Sequence, residues 1–85
     1  MHSVRKPLIA ANWKMNKTSS QAADFIKRFN ELADDVSDKE ILICPPFTLL
    51  YPLKEILPRN AVLGAQDVYF EQKGAFTGEI SPEML

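Results

Sequence analysis

Three short runs of apolar residues constrain this chain more than any other feature, because they are continuous where a half-wet strand would alternate. They are Pro7–Trp13, Glu40–Cys44 and Ala61–Ala65; the second is stopped by Pro45-Pro46, and the third leads into Gln66-Asp67. A strand with one solvated face alternates apolar and polar residues, so continuous runs predict strands covered on both faces, as in a parallel sheet. Between the runs the period changes to that of a helix. From Thr18 onward Ala22, Phe25, Ile26, Phe29, Leu32, Ala33 and Val36 recur at three- and four-residue steps, while Asp24, Lys27, Arg28, Glu31 and Asp34 fall on the opposite face. Thr18 followed by Gln21 has the spacing of a capping box, which satisfies amides that the first helical turn leaves free. Leu49, Leu50, Leu53, Ile56 and Leu57 form a shorter second stripe, ended by Pro58. Pro52 belongs in its first turn, where a missing amide donor costs least.

The expected order is β-α-β-α-β, an α/β fold with no internal domain boundary across residues 1–85, followed by a polar loop from Gln66 to Ile80. Ser81-Pro82-Glu83 then reads as a helix start: a serine cap, proline at the first helical position and an acid behind it. The chain stops at Leu85, and one turn cannot offset the cost of helix nucleation. The expectation is therefore a piece of a longer fold. Crossovers between parallel strands are right-handed. Strand order 1-2-3 places both helices on one face and leaves the other bare; order 2-1-3 covers each face with one helix. The pattern leaves both orders open.

Composition removes several classes of function. Ten Lys and Arg against eleven Asp and Glu give a net charge of −1, so the basic surface that nucleic-acid binding needs is not expected. Cys44 is the single cysteine, which excludes an internal disulfide and fits a reducing, cytoplasmic setting. Arg5 and Lys6 precede an apolar stretch, Leu8 to Ala11, that is too short for a signal peptide or a membrane span. No spacing suits a metal: Asp34, Asp35 and Asp38 lack the pattern of a calcium loop and read as a solvated helix end. Cys44 has no histidine near it in sequence and reads as structural. His2, the only histidine, sits at the terminus and is a poor acid–base candidate.

In parallel α/β folds ligands meet the carboxyl ends of the strands. Those ends carry Asn12, Trp13 and Lys14, then Cys44, then Gln66 and Asp67. On a strand, Asn12 and Lys14 would share a face with Leu8 and Ala10, while Ile9, Ala11 and Trp13 would pack beneath the helices. An ammonium beside a carboxamide suits an anionic oxygen. The plainer reading has Asn12 capping a turn and Lys14 solvated. In the stretch Gln72–Ile80, Gly74 and Gly78 bracket Ala75-Phe76-Thr77 and predict a protruding loop with an aromatic at its tip, either a partner surface or simply mobile. The glycine spacing is not that of a phosphate-binding P-loop.

Ala10-Ala11-Asn12-Trp13-Lys14-Met15-Asn16 resembles the first-strand signature of the triosephosphate isomerase family. Gly64-Ala65-Gln66-Asp67 and Gly74-Ala75-Phe76-Thr77-Gly78-Glu79-Ile80-Ser81 are similar to that family's third strand and third loop, in the same order and spacing. The likeness runs from Pro7 to Leu85. It implies a (β/α)8 barrel of roughly 250 residues, of which this chain supplies the first three strands, two helices and the third loop, in the order 1-2-3. It also implies interconversion of dihydroxyacetone phosphate and glyceraldehyde 3-phosphate through an enediolate, with no cofactor and no metal. By the same resemblance, Lys14 is catalytic and binds the substrate phosphate and developing oxyanion, and Asn12 binds near the substrate oxygen. Gln66 supports them from the third strand. The resemblance also implies a homodimer joined through the 72–80 loop, with Met15, Phe76, Thr77 and Glu79 at the interface; charge and hydropathy leave neither nucleic acid nor membrane as an expected partner.

In that family, a standard case of tuned acid–base catalysis, the glutamate base, the neutral histidine and the closing loop lie in later parts of the chain. Residues 1–85 alone are therefore expected to be inactive. The alternative is a non-catalytic folding or assembly fragment that pairs with other α/β units through its bare sheet face.

Overall fold

The computed structural model describes residues 5–85, so His2 lies outside the described residues. The first strand, β1, spans Leu8–Asn12; β2 spans Glu40–Cys44, and β3 spans Ala61–Leu63. They are parallel and hydrogen-bonded in the order β1-β2-β3. This settles the choice that the sequence pattern leaves open, in favour of the order that the family resemblance implies. The register sets Ala10 beside Leu42 and Leu42 beside Val62, and it sets Ala11 beside Ile43 and Ile43 beside Leu63. Aligned neighbours in a parallel sheet share a face, so these two rows lie on opposite sides.

One side is covered. Helix α1 spans Ser19–Ala33; a 3₁₀ turn at Phe47–Leu49 leads into α2, Leu50–Lys54. Trp13, Ala22, Ile26, Ile43, Leu49 and Leu53 form the core, with Leu57 and Leu63 packed against it. Both helices thus meet the face that carries Ile43 and Leu63. The opposite side is bare, with Leu8 55% and Val62 57% exposed.

The expectation of strands buried on both faces fails at β1, where every residue is exposed. The core centres on Ile43 of the middle strand and leaves β1 outside its cover, whereas Ala61 of β3, the other edge strand, is buried. Trp13 reaches the core as expected, but Ile9, expected beneath the helices, is 52% exposed.

Both bonds of the capping box form at α1, Gln21 N to Thr18 Oγ1 at 3.4 Å and Thr18 N to Gln21 Oε1 at 2.9 Å. The helix stops at Ala33, short of the stripe's end at Val36. There Asn60 Nδ2 donates to the carbonyls of Ala33 (2.6 Å) and Val36 (3.3 Å), satisfying acceptors that a helix end leaves free. The second helix is shorter than its stripe. Pro52 does lie in its first turn, and the end tightens through a bond from Ile56 N to Leu53 O at 3.1 Å.

From Gly64 onward the chain makes turns only. Tyr69 N bonds Ile80 O at 2.7 Å and closes the loop at its base. Ser81 is buried and its Oγ accepts from Met84 N at 3.1 Å, the bond of a helix cap. Leu85 N then reaches Pro82 O at 3.1 Å, completing a single turn.

Candidate active site

Trp13 N donates to Cys44 O at 3.0 Å, and Gly64 N donates to Ile43 O at 2.9 Å, so the three strand ends stay in step beyond their last paired residues. Gly64 is small for a reason: a Cβ there would lie 3.0 Å from both Cys44 Sγ and Leu42 Cδ1. The chain then turns sharply at Lys14, whose φ of +55° is left-handed. That conformation costs a non-glycine residue about 1–3 kcal/mol and persists only where its surroundings hold it.

Two side chains hold it. Asn12 Oδ1 accepts from Lys14 N at 2.9 Å, so Asn12 is the turn cap of the plainer reading. Gln66 Nε2 donates to Lys14 O at 3.0 Å and to Cys44 O at 2.9 Å. One carboxamide, three residues beyond β3, thereby ties the segment after β1 to the end of β2. Asn12 and Lys14 do not share a strand face as expected, because the backbone is no longer extended at Lys14. What joins the two residues is a hydrogen bond and a left-handed turn.

The 72–80 loop is also shaped from within. Gly74 has φ +144°, and a Cβ there would sit 2.5 Å from the Phe76 ring. Phe76 folds over this glycine and lies 4.6 Å from the Tyr69 ring, centroid to centroid, so it is only 41% exposed. The prominent aromatic is Phe70, at 79% exposure, which sequence reasoning passed over because no glycine marks its position. Met15, next to Lys14, is 95% exposed. Thr77 and Glu79 lie on the same exposed loop, where Glu79 N bonds Phe76 O at 3.0 Å.

Both carboxamides bond the backbone of Lys14, and the donor of Gln66 is taken up by the carbonyls of Lys14 and Cys44, so the Lys14 ammonium is the group here that can attract an anion. Neither a carboxylate nor an imidazole is among these groups, and abstraction of a proton from carbon needs a positioned base. At the opposite end of the sheet, Lys39 lies 3.0 Å from Asp38 and holds that exposed carboxyl below its usual pKa. A groove of about 570 Å³ opens there too, lined by Lys6, Leu8, Leu42 and Val62 among others. It belongs to the bare sheet face and lies away from Lys14.

Parallel strands in sequential order under one layer of helices, with polar groups gathered at their carboxyl ends, define a segment of an α/β barrel. A family model described as triosephosphate isomerase matches residues 7–85, and the chain belongs to that family. The fold is accordingly a β/α portion of a TIM barrel. The triosephosphate isomerase of Carboxydothermus hydrogenoformans is 52% identical over 83 residues, covering 96% of this chain and 33% of that protein. That of Dictyoglomus thermophilum is 53% identical with the same coverage, 96% and 33%. That of Aquifex aeolicus is 52% identical over 92% of this chain and 32% of its own length. The chain thus spans about a third of the length of the relatives it matches. Among the described residues, no helix is long and apolar enough to cross a membrane.

Proposed function

We propose that residues 1–85 are the oxyanion- and phosphate-binding third of a triosephosphate isomerase, a cytoplasmic enzyme that is active only as a complete single-domain barrel. The observation that carries this is the left-handed Lys14, clamped by Asn12 on its amide and by Gln66 on its carbonyl. Lys14 is exposed, and the clamp gives its backbone a fixed position from which the ammonium can meet an anion. In this reading Lys14 supplies positive charge to the phosphate and to the oxyanion of the enediolate. Asn12 orients a donor near the substrate oxygen, and Gln66 fixes the backbone of both. The base and acid come from later elements, no cofactor or metal takes part, and the substrate is a phosphorylated triose. The 72–80 loop, with Phe76, Thr77 and Glu79, joins two copies, and Met15 lines the pocket that receives it.

The bare sheet face and the unpaired edge of β1 favour a second reading, a non-catalytic fragment that assembles with other α/β units. A graft separates the two. Residues 7–85 replace the matching third of the Carboxydothermus hydrogenoformans relative, and isomerase turnover is measured with and without Lys14→Met. The enzyme reading predicts an active graft whose kcat/KM falls by roughly 10²–10³-fold on that substitution, as when a preorganised oxyanion donor is removed. A folded graft indifferent to Lys14→Met supports the assembly reading.

A further inference from the structure

Lys14 is not the only left-handed lysine in its loop. Lys17, directly before the α1 cap Thr18, has φ +79°. Its ammonium lies 5.5 Å from the centroid of the Trp13 ring and 5.2 Å from that of Phe25, within cation–π range of both. The two rings meet edge to face with centroids 5.1 Å apart, and Trp13 is buried in the core. Asn16 Nδ2 donates to Trp13 O at 2.7 Å and closes the same turn. The loop from Trp13 to Thr18 is thus anchored at its start by Asn12 and Gln66, and at its finish by a charge seated against an edge-to-face pair of aromatic rings.

We infer that Lys17 is a positioning residue for Lys14. Its ammonium pins the loop's second left-handed turn to Trp13 and Phe25, which limits how far the backbone of Lys14 can move. The inference rests on the isomerase reading for its consequence in catalysis, but its geometric content stands apart from it. A merely structural lysine at φ +79° would be replaced by glycine with advantage, because glycine adopts that conformation freely. A positioning lysine would not, because glycine releases the clamp together with the strain.

The test uses the full-length graft carrying Lys17→Gly, Lys17→Met or Lys17→Arg, with two readouts. The first is amide exchange at Lys14, whose N–H is bonded to Asn12; it needs no activity. Exchange is expected to rise about tenfold in Lys17→Gly and Lys17→Met, to stay near the parent rate in Lys17→Arg, and to stay unchanged in all three at Ile43. The second is KM for glyceraldehyde 3-phosphate, expected to rise roughly threefold to tenfold in the Gly and Met variants while kcat changes less and Arg restores it. Parent-like Lys14 exchange and KM in Lys17→Gly overturn the inference. Raised exchange at Lys14 in an inactive parent graft upholds the clamp and refutes the isomerase reading instead.

Discussion

At the scale of single residues, the site is a backbone conformation before it is a set of side chains. Lys14 stands at φ +55° because its amide and its carbonyl each have a side-chain partner. Gln66→Leu removes the carbonyl's partner, whereas Cys44 O keeps its bond from Trp13 N. In the graft this substitution is expected to cost about 1 kcal/mol of stability, the usual net worth of one intramolecular hydrogen bond, because both bonds of Gln66 are exposed. It is also expected to lower kcat/KM roughly fivefold to tenfold through loss of position. Denaturant unfolding and steady-state kinetics measure the two effects; unchanged kinetics would remove Gln66 from the site. Asn12, Lys14 and Gln66 were all legible in the sequence as strand-end residues and as family motif positions. Their mutual geometry was not, because alternation along a strand says nothing once the chain leaves extended conformation. Phe70 and Lys17 left no readable mark either: one owes its prominence to the way the loop folds Phe76 inward, and the other owes its role to a contact with two rings.

At the scale of elements, local signals were reliable where local chemistry decides the outcome. The Thr18–Gln21 capping box forms with both of its bonds. Thr18→Ala is expected to destabilise the graft by about 1 kcal/mol, read as a lower midpoint in urea with an unchanged slope; no shift in midpoint would mean that packing alone sets the helix start. The start at Ser81 likewise makes its cap bond to Met84 N. Element ends were less legible. The second helix stops at Lys54 although its apolar stripe continues to Leu57, which packs against the core without being helical. The exposure of β1 has a cause outside its own sequence: how much of a strand is covered depends on where the helices settle, and here they settle over Ile43.

At the scale of the whole molecule, the order β1-β2-β3 places both helices on one face and leaves Leu8 and Val62 open on the other. That arrangement suits one part of a closed barrel and gives residues 1–85 by themselves a half-covered sheet, so alone they are expected to be partly molten or oligomeric. The exposed 66–80 loop makes a separate prediction. In the graft, Thr77→Arg is expected to weaken the proposed dimer, raising its dissociation constant at least tenfold by sedimentation velocity; an unchanged profile would count against the proposed interface.

The central claim is that this chain carries the anion-binding part of an isomerase site and depends on later elements for proton transfer. Its most direct test is isomerase turnover, measured side by side for residues 1–85 alone and for the graft at equal concentration. The account predicts none for the first and robust turnover for the second. Turnover by residues 1–85 alone, or a folded graft without any, would contradict it.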